Sequence, residues 1–337
     1  MVDATHVSFR ADDRSYFSLL KKEIHKQAIA SGYDASTIAH TDLIVAELTS
    51  NLHKHAVGGE FLFADVKEES GEYLEFITLD NGPGIADIPR MMGDGVSTKN
   101  TLGQGLGSIK RLSDTFDIYS QRNWGTIALA RVYKHPKVVQ KNAKDQVNSL
   151  VVAKPGENLS GDGTYAKYSQ DRLKILIADG LGHGPEANRA VNEAVEAFKL
   201  CPSNSPVEIL RFIHTSIRKT RGIVGTVIVC DIKTKMWTVA GIGNISCKFM
   251  NGMLSKNVMS YNGIVGHNIP GTLNDLQLPV ADFPQFIACS DGLKSRWDSL
   301  KYPGIHKCDP MVLAAALYKD FGRRTDDMSV VIGKIEK

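Results

Sequence analysis

Residues 73–85 read YLEFITLDNGPGI, an apolar strand (Tyr73 to Asp80) that stops at the turn Asn81-Gly82-Pro83-Gly84-Ile85. Asp80 is thereby presented at a strand end, beside glycine backbone that a ligand can approach closely. About twenty residues on, GVSTKNTLGQGLGSIKRLSDTF carries Gly103, Gly105 and Gly107, then Leu106, Ile109, Leu112 and Phe116 at helical spacing. A glycine-rich loop entering a helix N-terminus cradles anions, because free N–H groups and the positive end of the dipole both favour phosphate. No GKS or GKT follows, so this is not a Walker A loop. Upstream, residues 36–56 (STIAHTDLIVAELTSNLHKHA) read as an amphipathic helix. Ile38, Ile44, Val45, Leu48 and Leu52 share one arc of about 120° at helical periodicity. Glu47, Asn51 and His55 follow one another along its flank. Taken alone, that line is a solvated flank.

The chain has 337 residues, about twice a typical domain, and 42% hydrophobic against 23% charged residues suits a globular protein with full cores. GTIALARVY (Gly125–Tyr133) closes the first pattern, with Ile127 and Leu129 alternating as on a half-buried strand. The polar stretch KHPKVVQKNAKDQVN reads as a linker before the strand-like SLVVAK. These readings predict a first domain over 1–138, a linker over 139–148 and a second domain over 149–337. Residues 1–138 carry net charge −3 and the remainder +6, with no long run of either sign. That gives no electrostatic footprint for nucleic acid or a membrane surface. The longest nearly pure apolar run, Met311 to Tyr318, is eight residues, and no basic stretch with an apolar core opens the chain. Five cysteines form no CxxC pair and read as core filler in a reducing cytoplasm.

The four boxes ExxxN on a helix, DNGPGI, GQGLG before a helix, and Gly125-Thr126 occur in that order, and together they resemble the GHKL ATPase superfamily. Length and a short lid are similar to the serine kinases of RsbT and RsbW type, which act as anti-sigma or switch factors. The resemblance covers about residues 5–133 and implies a Bergerat α/β sandwich that binds ATP with Mg²⁺. It further implies that Asn51 holds the Mg²⁺, Glu47 acts as general base, Asp80 accepts the adenine amino group and Thr126 lies beneath the base. Gly82 and Gly84 would shape the adenine turn, and Gly103, Gly105, Leu106 and Gly107 would wrap the phosphates. Each role suits its chemistry: a carboxylate can take a hydroxyl proton, and an ionised Asp accepts an exocyclic N–H. A sensor histidine kinase would need a dimerisation helix with a phosphorylated His; His25 reads instead as a surface histidine.

In the second half Asp recurs beside Gly at strand ends. Ser160-Gly161-Asp162 precedes TYAKYSQDRLKILIADG, a hairpin that returns to Asp179-Gly180. QFIACSDG delivers Asp291, and RRTDDMSVVIGKI carries Asp326 and Asp327. One Asp-Gly is a turn. Several at the ends of strands sharing a core imply a cation between them, and all-oxygen donors imply Mg²⁺ or Mn²⁺. His183 has no Cys/His cluster around it to make a zinc site.

SGD, ADGLGHG, AGIGN (Ala240–Asn244), SDGL and DDMSVV resemble, in that order, the PPM class of metal-dependent serine/threonine phosphatases. The SpoIIE-like branch and the RsbX type are most similar. The resemblance implies an αββα sandwich, with PEANRAVNEAVEAFKL and DPMVLAAALYKDFG as outer helices. It implies two Mn²⁺ or Mg²⁺ ions held by Asp162, Asp179, the Gly180 carbonyl, Asp291 and Asp326, the last chosen over Asp327 as first of its pair. It also implies an arginine for the substrate phosphate, for which Arg172 is an unplaced candidate. The whole is expected to be an α+β, two-domain cytoplasmic enzyme that phosphorylates and dephosphorylates Ser or Thr on a STAS-domain switch protein. The alternative is a phosphatase whose first domain only binds ATP and docks or sequesters a regulator.

Overall fold

The computed structural model describes residues 4–10, 14–68, 71–92, 105–135, 146–157, 159–169, 171–252 and 254–335. The chain divides into two units, and one of them joins His6–Val138 to Ser299–Lys319. The other comprises Val139–Asp298 and Asp320–Lys337, with the chain start up to Thr5.

In the first of these units, β1 (Thr5–Arg10) and α1 (Arg14–Ala30) lead into α2 (Ala35–His55). Asp34 caps α2 by accepting from the Thr37 N–H at 2.8 Å. There follow β2 (Glu60–Glu68), β3 (Gly71–Leu79), the single turn α3 (Ile88–Met91), α4 (Gly105–Leu112), β4 (Thr115–Gln121) and β5 (Gly125–Tyr133). The strands neighbour one another in the order β1-β2-β3-β5-β4, all antiparallel. The apolar arc of α2 (Ile44, Val45, Leu48, Leu52) packs with Leu20 and Ile24 of α1 and Ile109 of α4 against Phe61, Phe76 and Ala130. Helical spacing past Leu112 predicts Phe116 on the helix, but the helix stops and Phe116 pairs with Ala130 in the β4–β5 ladder. The Asp114 N–H has already turned to the Arg131 carbonyl.

Strand β5 was expected to be half-buried, yet both of its faces are covered. Ser299–Lys319 explains this. It carries most of α7 (Pro310–Phe321) and lies on the face that bears Glu60, Glu75 and Arg131. Arg131 pairs with Glu75 at 2.5 Å and with Asp309 at 2.6 Å, and His6 contacts Glu75 at 2.9 Å. The Tyr318 hydroxyl donates to Glu60 at 2.6 Å. A second-domain boundary at 149 places this segment elsewhere; these polar contacts group it with the N-terminal residues.

The second unit contains β6 (Gln146–Val152), β7 (Asp162–Tyr168), β8 (Arg172–Gly180), α5 (Pro185–Leu200), α6 (Pro206–Ser216), β9 (Ile223–Asp231) and β10 (Met236–Ile242). It continues with β11 (Ser246–Met250), β12 (Ser255–Val258), β13 (Leu276–Pro279), β14 (Gln285–Cys289) and β15 (Met328–Lys334). One set of strands runs β12-β11-β14-β15-β6 and the other β13-β10-β9-β8-β7. Their inner faces share a core of Ile175, Ile177, Ile228, Trp237, Phe249, Phe286 and Val331, as in a sandwich. Helices α5 and α6 pack on the outer face of the second sheet through Ala190, Ala194, Phe198, Leu210 and Ile213. Residues 146–148, expected in the linker, instead pair with Ile332–Lys334, because β15 is long enough to extend the ladder. Four cysteines are buried and all five are free. Among the described residues no helix is long and apolar enough to cross a membrane.

Burial raises the Glu75 carboxyl, but Arg131 and His6 outweigh it and hold the group down at about 2. A depressed carboxylate stabilises the fold above its ordinary range and loses that contribution as pH falls towards about 2. Arg131→Ala strands two carboxylates and is expected to cost about 3–5 kcal/mol of unfolding free energy at neutral pH. Urea melts at neutral pH and across the acid range should show that loss, together with a flatter acid arm.

Candidate nucleotide and metal sites

The nucleotide-site candidates are brought together by three elements. Gly105, the first residue of α4, lies against α2: a Cβ there would stand 3.3 Å from Glu47 Oε2 and 3.5 Å from Asn51 Oδ1. Glu47 and Asn51 are half-buried, so the carboxylate and amide meet the helix N-terminus at the rim of the core. At the end of β3 the Asp80 N–H donates to the Thr126 carbonyl at 3.0 Å, and Asp80 Oδ1 accepts from the Gly82 N–H at 2.6 Å. Gly125 has φ +119°, and a side chain there would strike the Asp80 carbonyl. Thr126 and Ser120 share a hydroxyl contact of 2.9 Å, and Ser120 accepts from the Ile85 N–H at 2.7 Å. Gly84 fits where a Cβ would overlap Gln121. Leu106 is half-buried and Gly107 buried in α4. Gly103 lies outside the described residues. His55 is exposed at the end of α2, and His25 contacts Asp42 at 2.9 Å.

Burial raises the Asp80 carboxyl, opposed by hydrogen bonds from the Gly82 and Thr126 backbone and by the charge of Lys319. Lys319 carries no sequence signal of a place at this site. Its ammonium donates to the Trp124 carbonyl at 2.9 Å and stands 4.0 Å from the Trp124 ring centre. Nothing in the local sequence links residues 319 and 124, so only the fold reveals the pairing.

In the second unit, β7 and β8 set Asp162 directly opposite Asp179. The Gly180 N–H donates to the Gly161 carbonyl at 2.8 Å, which closes the hairpin mouth. Burial raises Asp179, and the charges of Asp162, Asp291, Asp326 and Asp327 raise it further. Asp162 is raised mainly by burial, then by Asp327 and Asp291, while the Ser290 and Ser329 hydroxyls oppose the shift. Asp291 Oδ2 accepts from the Asn244 amide at 2.8 Å, which gives the AGIGN motif a role as a side-chain tether.

The Asp326-Asp327 pair divides sharply. Asp327 is buried, and its two oxygens accept from the Lys154 and Gly161 N–H groups, each at 2.8 Å. Asp326 is exposed and spends one oxygen on the Asp327 N–H at 3.0 Å. His183 faces Glu157 at 3.0 Å. Arg172 lies at the far end of β8 from Asp179 and pairs with Asp231 at 3.1 Å, so the structure does not bring it to this site.

No family model matches the chain. It is 36% identical over 95 residues to the serine/threonine-protein kinase RsbT of Bacillus subtilis (strain 168), a match covering 28% of this chain and 71% of that protein. The chain belongs to the RsbT family. It is also 24% identical over 113 residues to the phosphoserine phosphatase RsbX of the same organism, across 32% of this chain and 55% of RsbX. A solved structure described as the bacterial stressosome, a modular system adapted to control secondary messenger signalling, is 27% identical with a TM-score of 0.53. It covers 57% of this chain and 100% of its own. RsbX in complex with magnesium shares the fold at 19% identity and a TM-score of 0.51, over 58% of this chain and 98% of that one. This RsbT-family chain is therefore a kinase-like part fused to a part resembling the PPM phosphatases, as its motifs imply.

The acidic residues of this RsbT-family member fit a hard cation. Asp162 Oδ2 is buried with no hydrogen-bond partner among the described residues, a cost that a cation would remove. Among the described residues no three His, Cys, Asp or Glu side chains are placed so that together they could hold a metal ion. The aspartates stand instead at electrostatic range of one another. Carboxyls held above their ordinary values weaken the cation-free fold as pH rises through those values. Added Mn²⁺ is expected to restore the thermal midpoint, most at alkaline pH. Asp179→Asn removes one repelling charge, so its cation-free midpoint should rise by about 2–4 °C while the response to Mn²⁺ disappears. Scanning calorimetry with and without Mn²⁺ at several pH values checks both.

Proposed function

We propose that this chain is a bifunctional regulator of partner-switching signalling in the cytoplasm: an ATP-dependent protein serine/threonine kinase joined to a PPM-type phosphoprotein phosphatase. The substrate in this reading is a STAS-domain switch protein carrying the target Ser or Thr. The observation that carries it is the coexistence of two separate sets of side chains, Glu47 with Asn51 beside the start of α4, and Asp162 opposite Asp179. Similarity to RsbT and RsbX supports the same pairing of activities.

For the kinase part we assign a GHKL-type ATP site over residues 1–138. Asp80 accepts the adenine amino group, the Gly82 and Gly84 turn lets the base approach, and Thr126 lies beneath it. Gly103, Gly105, Leu106 and Gly107 enclose the phosphates at the α4 N-terminus. Asn51 would hold Mg²⁺, which supplies charge neutralisation on the phosphates. Glu47 takes the proton from the substrate hydroxyl, a role that needs a carboxylate rather than any polar group.

For the phosphatase part, with its core beyond the 139–148 stretch, Asp162, Asp179, the Gly180 carbonyl, Asp291 and Asp326 would hold two Mn²⁺ or Mg²⁺ ions. When bound, these supply Lewis acidity for in-line attack on phosphorus. Asp327 serves as the tie that anchors Lys154 and Gly161, and Asn244 orients Asp291. No covalent phosphoenzyme is needed, so the buried cysteines take no part.

The test uses the intact chain, purified STAS-domain protein, γ-labelled ATP and either Mg²⁺ or Mn²⁺. Label should accumulate on the substrate and leave as inorganic phosphate when Mn²⁺ is added. Glu47→Gln is expected to lower phosphorylation by about 10²–10⁴-fold and leave dephosphorylation intact. An Asp179→Asn, Asp291→Asn double variant should do the reverse. Dephosphorylation of a prelabelled substrate with no transfer from ATP would favour the docking alternative, a phosphatase whose first part binds ATP without spending it.

A further inference from the structure

The turn from Asp80 to Ile85, which the ATP reading sets against the base, takes its shape from the backbone laid against it. On the side of α2, the Asn81 N–H donates to the Val57 carbonyl at 2.9 Å, and a Cβ on Gly82 would stand 2.7 Å from the His55 carbonyl. On the other side lies the β4–β5 turn, Gln121 to Thr126. The Asn123 N–H donates to the Pro83 carbonyl at 2.9 Å, and the Asp80 N–H to the Thr126 carbonyl at 3.0 Å. A Cβ on Gly84 would overlap the Gln121 carbonyl, and one on Gly125 the Asp80 carbonyl. With so little space between the two turns, neither shifts without the other.

The β4–β5 turn needs support to keep this shape, because Asn123 at φ +60° occupies a region that L residues rarely adopt. The support comes from Ser299–Lys319, which belongs to the same unit although Lys319 follows Trp124 by 195 positions. The Lys319 ammonium donates to the Trp124 carbonyl at 2.9 Å and stands 4.0 Å from the centre of the same residue's ring. A charged donor on a half-buried carbonyl outweighs a neutral one, and the cation over indole adds to it. Around that ring stand Tyr302 at 5.5 Å and Tyr119 at 5.6 Å, and the Tyr119 hydroxyl donates to the Pro303 carbonyl at 3.3 Å. The Tyr302 hydroxyl donates in turn to the Ala316 carbonyl at 3.1 Å, and Tyr318, beside Lys319, is anchored on Glu60. Lys319 is also the charge that opposes the rise of the buried Asp80 carboxyl. His55, Asp87 and Arg122 on the neighbouring elements are exposed.

We propose that Lys319 is a positioning residue of the nucleotide site: it pins the β4–β5 turn through Trp124, and through that turn the Asp80–Ile85 backbone that receives the adenine base. This assignment rests on the ATP reading. It means that residues 1–138 do not complete the nucleotide site, and that a residue lying in sequence between Asp291 and Asp326 serves ATP. Acting through the base turn rather than on the phosphates, Lys319 should govern affinity for ATP and leave the transfer step in place.

The experiment measures ATP binding to the full chain by calorimetry with Mg²⁺ present, together with KM and kcat for ATP in transfer to the STAS-domain protein. Lys319→Met keeps the stem and removes the cation; it is expected to raise Kd and KM together by about 10-fold, with kcat within about threefold. Lys319→Arg restores a cationic donor and should recover most of that affinity. Lys307→Ala, at an exposed lysine of the same segment, should match the parent. Without the Lys319 charge the Asp80 carboxyl rises further, so ATP affinity in Lys319→Met should fall off at a higher pH than in the parent. Loosening of the fold alone does not move that acid limb. Lys319→Gln, which keeps a donor but no charge, replaces Lys319→Met if the latter does not fold, and must show the same pH shift. Parent-like Kd and pH profile in the variants overturn the proposal and leave the ATP reading standing. A parent chain that binds no ATP overturns both. If the parent binds ATP without transferring phosphate, Kd decides: a loss near tenfold supports the assignment, and equal affinity overturns it.

Discussion

Asp162 and Asp179 face each other across an antiparallel ladder, and their repulsion is the constraint from which the rest of the site follows. The strand register places them there, and it is set by buried residues such as Ile175 and Ile177, whose displacement by one position would turn the core face outward. The apolar core thus imposes an arrangement that its own acids resist. Part of the strain is relieved locally, by the Ser290 and Ser329 hydroxyls near Asp162 and by the Asn244 amide on Asp291. The remainder appears as raised carboxyls and, among the described residues, an unpartnered Oδ2 on Asp162. Such a site is stable enough to fold because the sandwich around it is well packed, and its acids carry an electrostatic cost that a cation would offset.

The N-terminal part solves a different problem. A sheet face carrying His6, Glu60, Glu75 and Arg131 is too polar to pack on an ordinary apolar helix and too buried to be left without partners. Ser299–Lys319 meets it with matching groups: Asp309 for Arg131, the Tyr318 hydroxyl for Glu60, and Tyr302 against Trp124 with ring centres 5.5 Å apart. The Asp309 N–H also donates to Asp117 at 2.6 Å. Because breaking one partner of a buried pair costs far more than the pair contributes, these contacts specify which segment covers the face. The same segment brings Lys319 to Trp124 and into the field of Asp80, so the covering element also sets the charge around the end of β3.

Local patterns in the sequence match the fold where one period dominates. The amphipathic stretch 36–56 forms α2 nearly to the residue, and GTIALARVY forms β5 with its stated ends. The Asp162–Asp179 hairpin followed from alternating residues returning to an Asp-Gly turn. Errors fall where distant segments decide. Phe116 leaves the helical pattern because β5 offers it a ladder, Gln146 joins a strand because β15 extends far enough, and the second face of β5 is hidden by residues nearly two hundred positions away. Arg131 shows the limit most plainly. In sequence it is a polar residue alternating with apolar ones, the usual mark of a solvent face; only its partners Glu75 and Asp309 make it a core residue.

Those partners also suggest how structural acids can be told from chemical ones in this chain. Asp309 accepts from Arg131 with both oxygens and from the Met311 N–H as well; Asp327 gives one oxygen to each of two backbone N–H groups. Glu75 divides its oxygens between His6 and Arg131. Each has its lone pairs directed at the fold, and replacing it should cost stability before anything else. Among the described residues Asp162 keeps one oxygen unspent in a buried position, whereas Asp326 is exposed and gives one oxygen to the N–H of its fully engaged neighbour. Asp326 and Asp327 are adjacent and chemically identical, so residue type alone cannot separate them. What separates them is which oxygens the backbone has already claimed, and those left over are the ones free to bind a ligand.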